Sequence, residues 1–249
     1  MTATTAWRSD PYADALRTGH GPLFLRRDDG WLLPLEVERW CEAPDRADRS
    51  VLARCHGSVL DIGCGPGRLV AALAAEGRRA LGIDISPEAV ARTVRLGGTA
   101  LCRSVFDDLP AESRWDTALL IDGNIGIGGD PAALLRRLRR VVSRSGRIIA
   151  ECAPVDVDER CDVRVDDGRG DRDERVGRGG RGASFPWARV GARALTRHAA
   201  RAGWAESGTW ADAGREFMLL TRQSSSDFPE SSEFPALPGR PAFPAGRNG

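Results

Sequence analysis

The chain has 249 residues, with 36 basic and 35 acidic side chains and a formal charge of +1. That balance offers no basic excess to a nucleic acid or an anionic membrane, and the length suits one α/β domain with extensions. No apolar run approaches a membrane span and residues 1–11 lack an apolar signal core, so a cytoplasmic protein is expected.

Ser9 and Pro11 mark the start of a short helix over residues 9–19, which carries Tyr12, the single tyrosine. Residues 23–26 and 31–33 flank Asp28-Asp29-Gly30, a hairpin signal. Asp45 then caps a helix running to about Cys55. Residues 1–55 thus form an extension ahead of the main sheet.

Val59, Leu60 and Ile62 make the short apolar run of a buried parallel strand. Asp61 stands within it, and Gly63, Gly65 and Gly67 follow at every second position. Leu69, Val70 and Leu73 supply a helical face that Gly77 stops. Glycine at such a turn permits positive φ and lets a ligand approach the backbone. The spacing is not the dinucleotide G-x-G-x-x-G, because Arg68 stands where its third glycine belongs. Residues 80–84 form a second apolar strand ending in Asp84, a carboxylate able to accept two hydrogen bonds from a vicinal diol. Ser86 reads as the N-cap of the next helix, with Pro87 at its first position.

The run D-I-G-C-G-P-G-R-L at residues 61–69 resembles motif I of class I S-adenosylmethionine (SAM)-dependent methyltransferases, and the acid in L-G-I-D-I-S at residues 81–86 extends the likeness. The resemblance implies a doubly wound, mainly parallel α/β sheet of seven strands in the order 3-2-1-4-5-7-6 over residues 56–222, with residues 1–55 as a lid. It implies SAM as cofactor, held by Asp61, Gly63, Cys64, Gly65 and Gly67 of the turn, with Asp84 on the ribose and Ile85 on adenine. Tyr12 resembles the N-terminal tyrosine that many family members fold over the methyl group; the alternative is ordinary lid packing. His20, in a Gly-His-Gly turn, is either a base or an exposed turn residue.

Residues 100–105 read as the third strand. Many family members place an acid just after it for the adenine amino group. Here Ser104 or Val105 takes that place, and Phe106 offers a ring face and a backbone N–H instead. The fourth strand, residues 117–121, ends at Asp122-Gly123-Asn124, followed by three more glycines before Asp130. Asp122 or Asn124 faces the cofactor ammonium or the acceptor, or the segment is a connection without ligand contact. Asp130-Pro131 opens an amphipathic helix. Residues 147–151 form the fifth strand, with Glu151 at its tip either reaching the acceptor or ending the strand in solvent.

Residues 156–181 hold nine acids, seven arginines and five glycines. Such a composition buries little, so a flexible insertion over 156–183 is expected, with at most a short ribbon at 160–165. Phe185, Trp187 and Arg189 follow as an aromatic return, expected either to border the acceptor or, for Phe185 and Trp187, to pack in the core. A helix over 191–202 and strands over 204–210 and 216–220 close the fold, and residues 223–249 read as a disordered tail. The six cysteines show no C-x-x-C pairing and only three histidines are present, so no metal site is expected. The leading reading is methyl transfer to a small-molecule acceptor. A cofactor-binding protein without transfer activity and a nicotinamide-dependent oxidoreductase are the alternatives. The acceptor, the atom it offers and the oligomeric state are not legible.

Overall fold

The computed structural model describes residues 10–168 and 183–223. Ser9, residues 169–182 of the expected insertion and residues 224–249 of the expected tail lie outside the described residues.

In chain order the elements are α1 (Asp10–Thr18), β1 (Phe24–Arg26), β2 (Leu32–Pro34), α2 (Val37–Cys41), α3 (Arg46–Leu52), β3 (Val59–Ile62), α4 (Arg68–Ala75), β4 (Ala80–Asp84), α5 (Pro87–Arg95), β5 (Ala100–Cys102), β6 (Trp115–Leu120), α6 (Pro131–Val141), β7 (Val142–Cys152), β8 (Asp158–Asp166), β9 (Phe185–Val190), α7 (Ala192–Arg201), β10 (Trp204–Asp212) and β11 (Arg215–Arg222). The main sheet runs β10-β11-β7-β6-β3-β4-β5. Renumbered within that sheet, this is the order 3-2-1-4-5-7-6. Strands β3 to β7 pair in parallel, and β11 enters antiparallel between β7 and β10.

Apolar residues cover both faces, as parallel strands require. Leu60, Ala118, Leu120 and Ile148 pack against Leu134, Leu135 and Leu138 of α6 and Leu195 of α7. Val59, Leu119 and Ile149 pack on the other face against Val51 and Leu52 of α3 and Leu69 and Leu73 of α4. The helix starts obey local chemistry. Asp45 and Asp48 form a reciprocal capping box on α3, Ser86 caps α5 ahead of Pro87, and Asp130 caps α6 ahead of Pro131.

A second sheet, β2-β1-β8-β9, lies over the carboxyl ends of the parallel strands. Here the structure departs from expectation. Residues 158–166 of the insertion are a nine-residue strand, paired on one side with β1 and on the other with β9. The reason is period-two burial: Val163 and Val165 are 1% and 2% exposed, and they join Leu25, Leu23 and Phe185 in a separate apolar cluster with Tyr12 and Leu16 of α1. The cover over the strand ends is therefore shared between residues 10–41 and the strands at 158–166 and 185–190. Among the described residues, no helix is long and apolar enough to cross a membrane.

Candidate active site

The carboxyl ends of β3, β4 and β6 open into a cleft with about 1040 Å³ of empty space, its solvent mouth included. Its floor is Gly63-Cys64-Gly65-Pro66 with Asp84 and Ile85; residues 103–106 line one end, and Asp122 and Asn124 the other wall. Tyr12, Leu35, Trp40, Phe185, Pro186 and Trp187 come from the covering segments, and Ile127 from the turn after β6.

The three glycines of the first turn do different jobs. A Cβ on Gly63 would stand 2.8 Å from Asn124 Nδ2, which donates to the carbonyls of Ile62 and Gly63 at 2.9 Å each. A Cβ on Gly67 would stand 2.3 Å from Thr93 Oγ1. Both glycines therefore serve packing. Gly65, at φ +54°, has only the Tyr12 hydroxyl near its missing Cβ, at 3.7 Å, so its bare backbone faces the cleft.

Asp84 locks this turn to the next. One carboxylate oxygen accepts from Gly65 N–H at 2.9 Å and the other from Ser86 N–H at 2.8 Å. With the Ile85 N–H also nearby, part of its acceptor capacity of about four lone pairs remains for a ligand. Burial pushes its pKa up, opposed by the N–H groups of Ser86 and Gly65. Tyr12 is also buried, and burial, with Asp84 and Cys64 nearby, raises its pKa well above the ordinary phenol value.

Asp122 sits in the left-handed region at φ +58°. Its backbone N–H donates to Glu151 Oε2 at 2.7 Å. Its carboxylate meets Arg39 at 2.8 Å, Arg68 at 2.9 Å and Arg215 at 3.2 Å. Burial alone would raise its pKa; Arg68, Arg39 and Arg215 outweigh that and hold it ionised. Arg68 also grips Asp48, at 2.7 and 2.9 Å, and Arg215 bridges Asp48 and Glu151 at 2.8 Å each. One buried ion network thus ties α2, α3, α4, β11 and the tips of β6 and β7.

Of the residues singled out from sequence, Gly63, Cys64, Gly65, Asp84, Ile85, Ser104, Val105, Phe106, Asp122, Asn124, Tyr12, Phe185 and Trp187 line the cleft together. Five do not. Asp61 is enclosed in β3 at 3% exposure. Gly67 packs on Thr93. His20 is exposed in the turn after α1. Glu151 is spent on Arg215 and the Asp122 N–H. Arg189 pairs with Glu159 at 3.2 Å and stacks over Trp31 at 5.0 Å, away from the cleft. The cleft adds Leu35, Trp40 and Arg103, which no motif flagged, and Arg68, which stood in the motif I run but was given no role there. The glycine-rich turn after β6 has a packing cause as well. A Cβ on Gly126 would lie 2.1 Å from the Ala188 carbonyl, and one on Gly129 2.7 Å from Pro186. Those glycines seat lid strand β9, bridged to the turn through Ile127 and Trp187.

Residues 59–146 match the family model described as a methyltransferase domain. No curated protein matches the sequence. Among solved structures, the chain is similar to a SAM-dependent methyltransferase from Bacteroides fragilis in complex with S-adenosyl-L-homocysteine, at 20% identity and TM-score 0.69, covering 90% of this chain and 98% of that one. It is similar to the sugar N-methyltransferase KedS8 from Streptoalloteichus sp ATCC 53650 at 16% identity and TM-score 0.51, covering 74% and 88%. It is also similar to 1,6-didemethyltoxoflavin-N1-methyltransferase from Burkholderia thailandensis at 18% identity and TM-score 0.50, covering 72% and 79%. The motif I turn, the strand order and the match over residues 59–146 to a methyltransferase domain model agree on one architecture: the chain has the class I methyltransferase fold.

Proposed function

We propose that the protein is a SAM-dependent methyltransferase acting on a small-molecule acceptor. The observation that carries this reading is the open face of Gly65 beside the Asp84 carboxylate, inside a cleft roofed by aromatic side chains. The donor set fits the cofactor. Asp84 has lone pairs left for ribose hydroxyls. Ile85, Val105 and the Phe106 ring offer apolar contact for adenine, while the Phe106 N–H expected to serve it donates instead to Ser104 Oγ at 3.2 Å. Asp122, kept ionised, and Asn124 stand on the wall suited to the methionine ammonium. The cofactor supplies a methyl group already activated on a sulfonium, open to in-line displacement.

The chain's own contribution is then alignment. Fixing acceptor and methyl in register is worth effective molarities on the order of 10⁵ M or more. Tyr12 covers the Gly65 turn, and Phe185 and Trp187 of β9 bound the space above it, which makes them the positioning groups. His20 has no part in the chemistry, since it stands outside the cleft. A small-molecule acceptor accords with a roofed cleft and with the descriptions of two structural neighbours as a sugar N-methyltransferase and a 1,6-didemethyltoxoflavin-N1-methyltransferase.

Calorimetric titration with SAM, S-adenosylhomocysteine (SAH) and NAD tests the reading. SAM and SAH bind and NAD does not. Asp84→Ala weakens SAM roughly 10- to 150-fold, the equivalent of a lost charge-assisted hydrogen bond of about 1.5–3 kcal/mol. NAD binding in preference to SAM, or unchanged SAM affinity in folded Asp84→Ala, would refute it.

A further inference from the structure

We propose that the acceptor is an uncharged, flat aromatic or heteroaromatic molecule that offers a neutral nitrogen, methylated without a base from the enzyme. The inference rests on the methyltransferase reading above and concerns what stands opposite the cofactor.

Two independent observations carry it. The first is the covering wall. Leu35, Trp40, Ile127, Phe185, Pro186 and Trp187 are all apolar or aromatic. The charged groups lining the cleft are Asp84, Asp122, Arg68 and Arg103, all on the sheet side. An acceptor carboxylate or phosphate would therefore have to lie against rings and a leucine. Aromatic faces attract positive charge and repel negative charge.

The second is the placement, among the described residues, of the groups that could remove a proton near neutrality. Asp61, whose pKa burial pushes up to about 7, is enclosed in β3 at 3% exposure, and Asp84 on the cleft floor is engaged by the N–H groups of Gly65 and Ser86. The sequence has three histidines and no lysine. His20 is exposed beyond the lid helix. His56 precedes β3, at the opposite end of the sheet from the cleft, with its backbone N–H donating to Thr117 Oγ1. His198 lies on α7 and meets Asp158 at 2.7 Å. Of the groups at the cleft, Tyr12 and Cys64 are buried and have pKa values raised well above their ordinary range, so neither is a base. Asp122 is clamped by three arginines. A phenol, with a pKa near 10, would be ionised in only about one molecule in a thousand at pH 7, and its anion would face the aromatic wall. A neutral aromatic nitrogen carries its lone pair already.

The step balances without a co-reactant. The nitrogen lone pair forms the N–CH3 bond as the donor's S–CH3 bond breaks. Sulfur leaves as a neutral thioether and the positive charge moves to nitrogen, beside rings that favour it. Any N–H proton is released to water afterwards.

Three bicyclic probes of one size test this on the full chain saturated with SAH: isoquinoline, 2-naphthol and 2-naphthoate. In calorimetry, isoquinoline and 2-naphthol bind and 2-naphthoate binds at least tenfold more weakly. With labelled SAM at pH 7, isoquinoline accepts the methyl group and 2-naphthol does so at least tenfold more slowly. Trp187→Leu weakens isoquinoline at least tenfold in protein that still binds SAH. Trp40→Leu, on another part of the wall, serves if the first variant does not fold. Tighter binding of 2-naphthoate, faster methylation of 2-naphthol, no aromatic binding to SAH-loaded protein, or wild-type isoquinoline affinity in the folded variants would each overturn the acceptor class. Failure of SAH itself to bind would instead overturn the methyltransferase reading beneath it.

Discussion

Arg68→Met tests the ion network that shapes the methionine end of the cleft. Arg68 is held by Asp48 at 2.7 and 2.9 Å and by Asp122 at 2.9 Å, and the Arg68 and Asp48 side chains are 4% and 0% exposed. At an effective dielectric constant of about 20, unit charges about 3 Å apart attract by roughly 5 kcal/mol. Desolvation offsets much of that, and breaking one side of a buried pair costs about 3–5 kcal/mol. Asp48 keeps Arg215 at 2.8 Å, so the loss falls at the low end, about 3 kcal/mol. Urea unfolding at pH 7 reads it as a midpoint lower by about 1 M at an unchanged slope of about 3 kcal/mol/M. Pairing Arg68→Met with Asp48→Leu removes the stranded carboxylate, so the double variant is more stable than the sum of the two single losses. The acid limb adds a signed check. Burial opposes ionisation of Asp48, but Arg68 and Arg215 hold its pKa well below the usual carboxylate value. A depressed folded pKa gives stability that is present above about pH 4 and is lost as pH falls. Arg68→Met therefore flattens the acid loss. A single variant within about 1 kcal/mol of wild type, or a strictly additive double, would refute the reasoning.

Gly65→Val places a branched side chain in a left-handed position that faces the cleft, so SAM binding is abolished and stability falls by about 1–2 kcal/mol; titration retaining wild-type affinity would show that the turn does not touch a ligand. Asp61 has its pKa pushed up to about 7, chiefly by burial, with Asp122, Asp84 and Asp48 adding to it against Arg68. A raised folded pKa means stability that is present below about pH 4 and lost as pH rises toward 7, by up to about 4 kcal/mol. Asp61→Asn removes that slope and is more stable than wild type at pH 8 in urea melts, whereas identical pH profiles would exclude the assignment.

The site floor was legible because it is local. Asp61 to Arg68 and Ala80 to Ser86 carry strand, turn and cap signals within a few residues of each other, and the floor stands where they place it. Asp45, Ser86 and Asp130 announced their helices by the same local chemistry. What escaped was long-range. Asp48, Arg68, Asp122, Glu151 and Arg215 are scattered along the chain, and nothing in their spacing announces that they converge. Helix α2 has five residues and no side-chain cap, so Trp40 arrived at the cleft unannounced. Strand β8 was hidden by charge: its outward positions carry Asp and Arg, Glu159 opens the inward face, and only Cys161, Val163 and Val165 show the alternation. The glycines after β6 resembled a ligand turn because close approach of a strand and of a ligand both demand a missing Cβ.

The pairing of β1 with β8 has a consequence for the order in which the molecule assembles. Arg26 and Asp166, joined across that pair at 3.0 Å, are 140 residues apart. Contacts this distant form only after a large loss of chain freedom, and such pairings slow folding. During synthesis the hairpin β1-β2 leaves the ribosome with no partner, and its mate emerges only after β3 to β7 are complete. The parallel core and its glycine turn can be in place while the roof is still two unattached pieces. A nascent or partly unfolded chain would then hold cofactor before it can enclose an acceptor. In hydrogen exchange, the amides of β1 and β8 would open together and more readily than those of β3 and β6, a separation of foldons along the boundary between the two sheets.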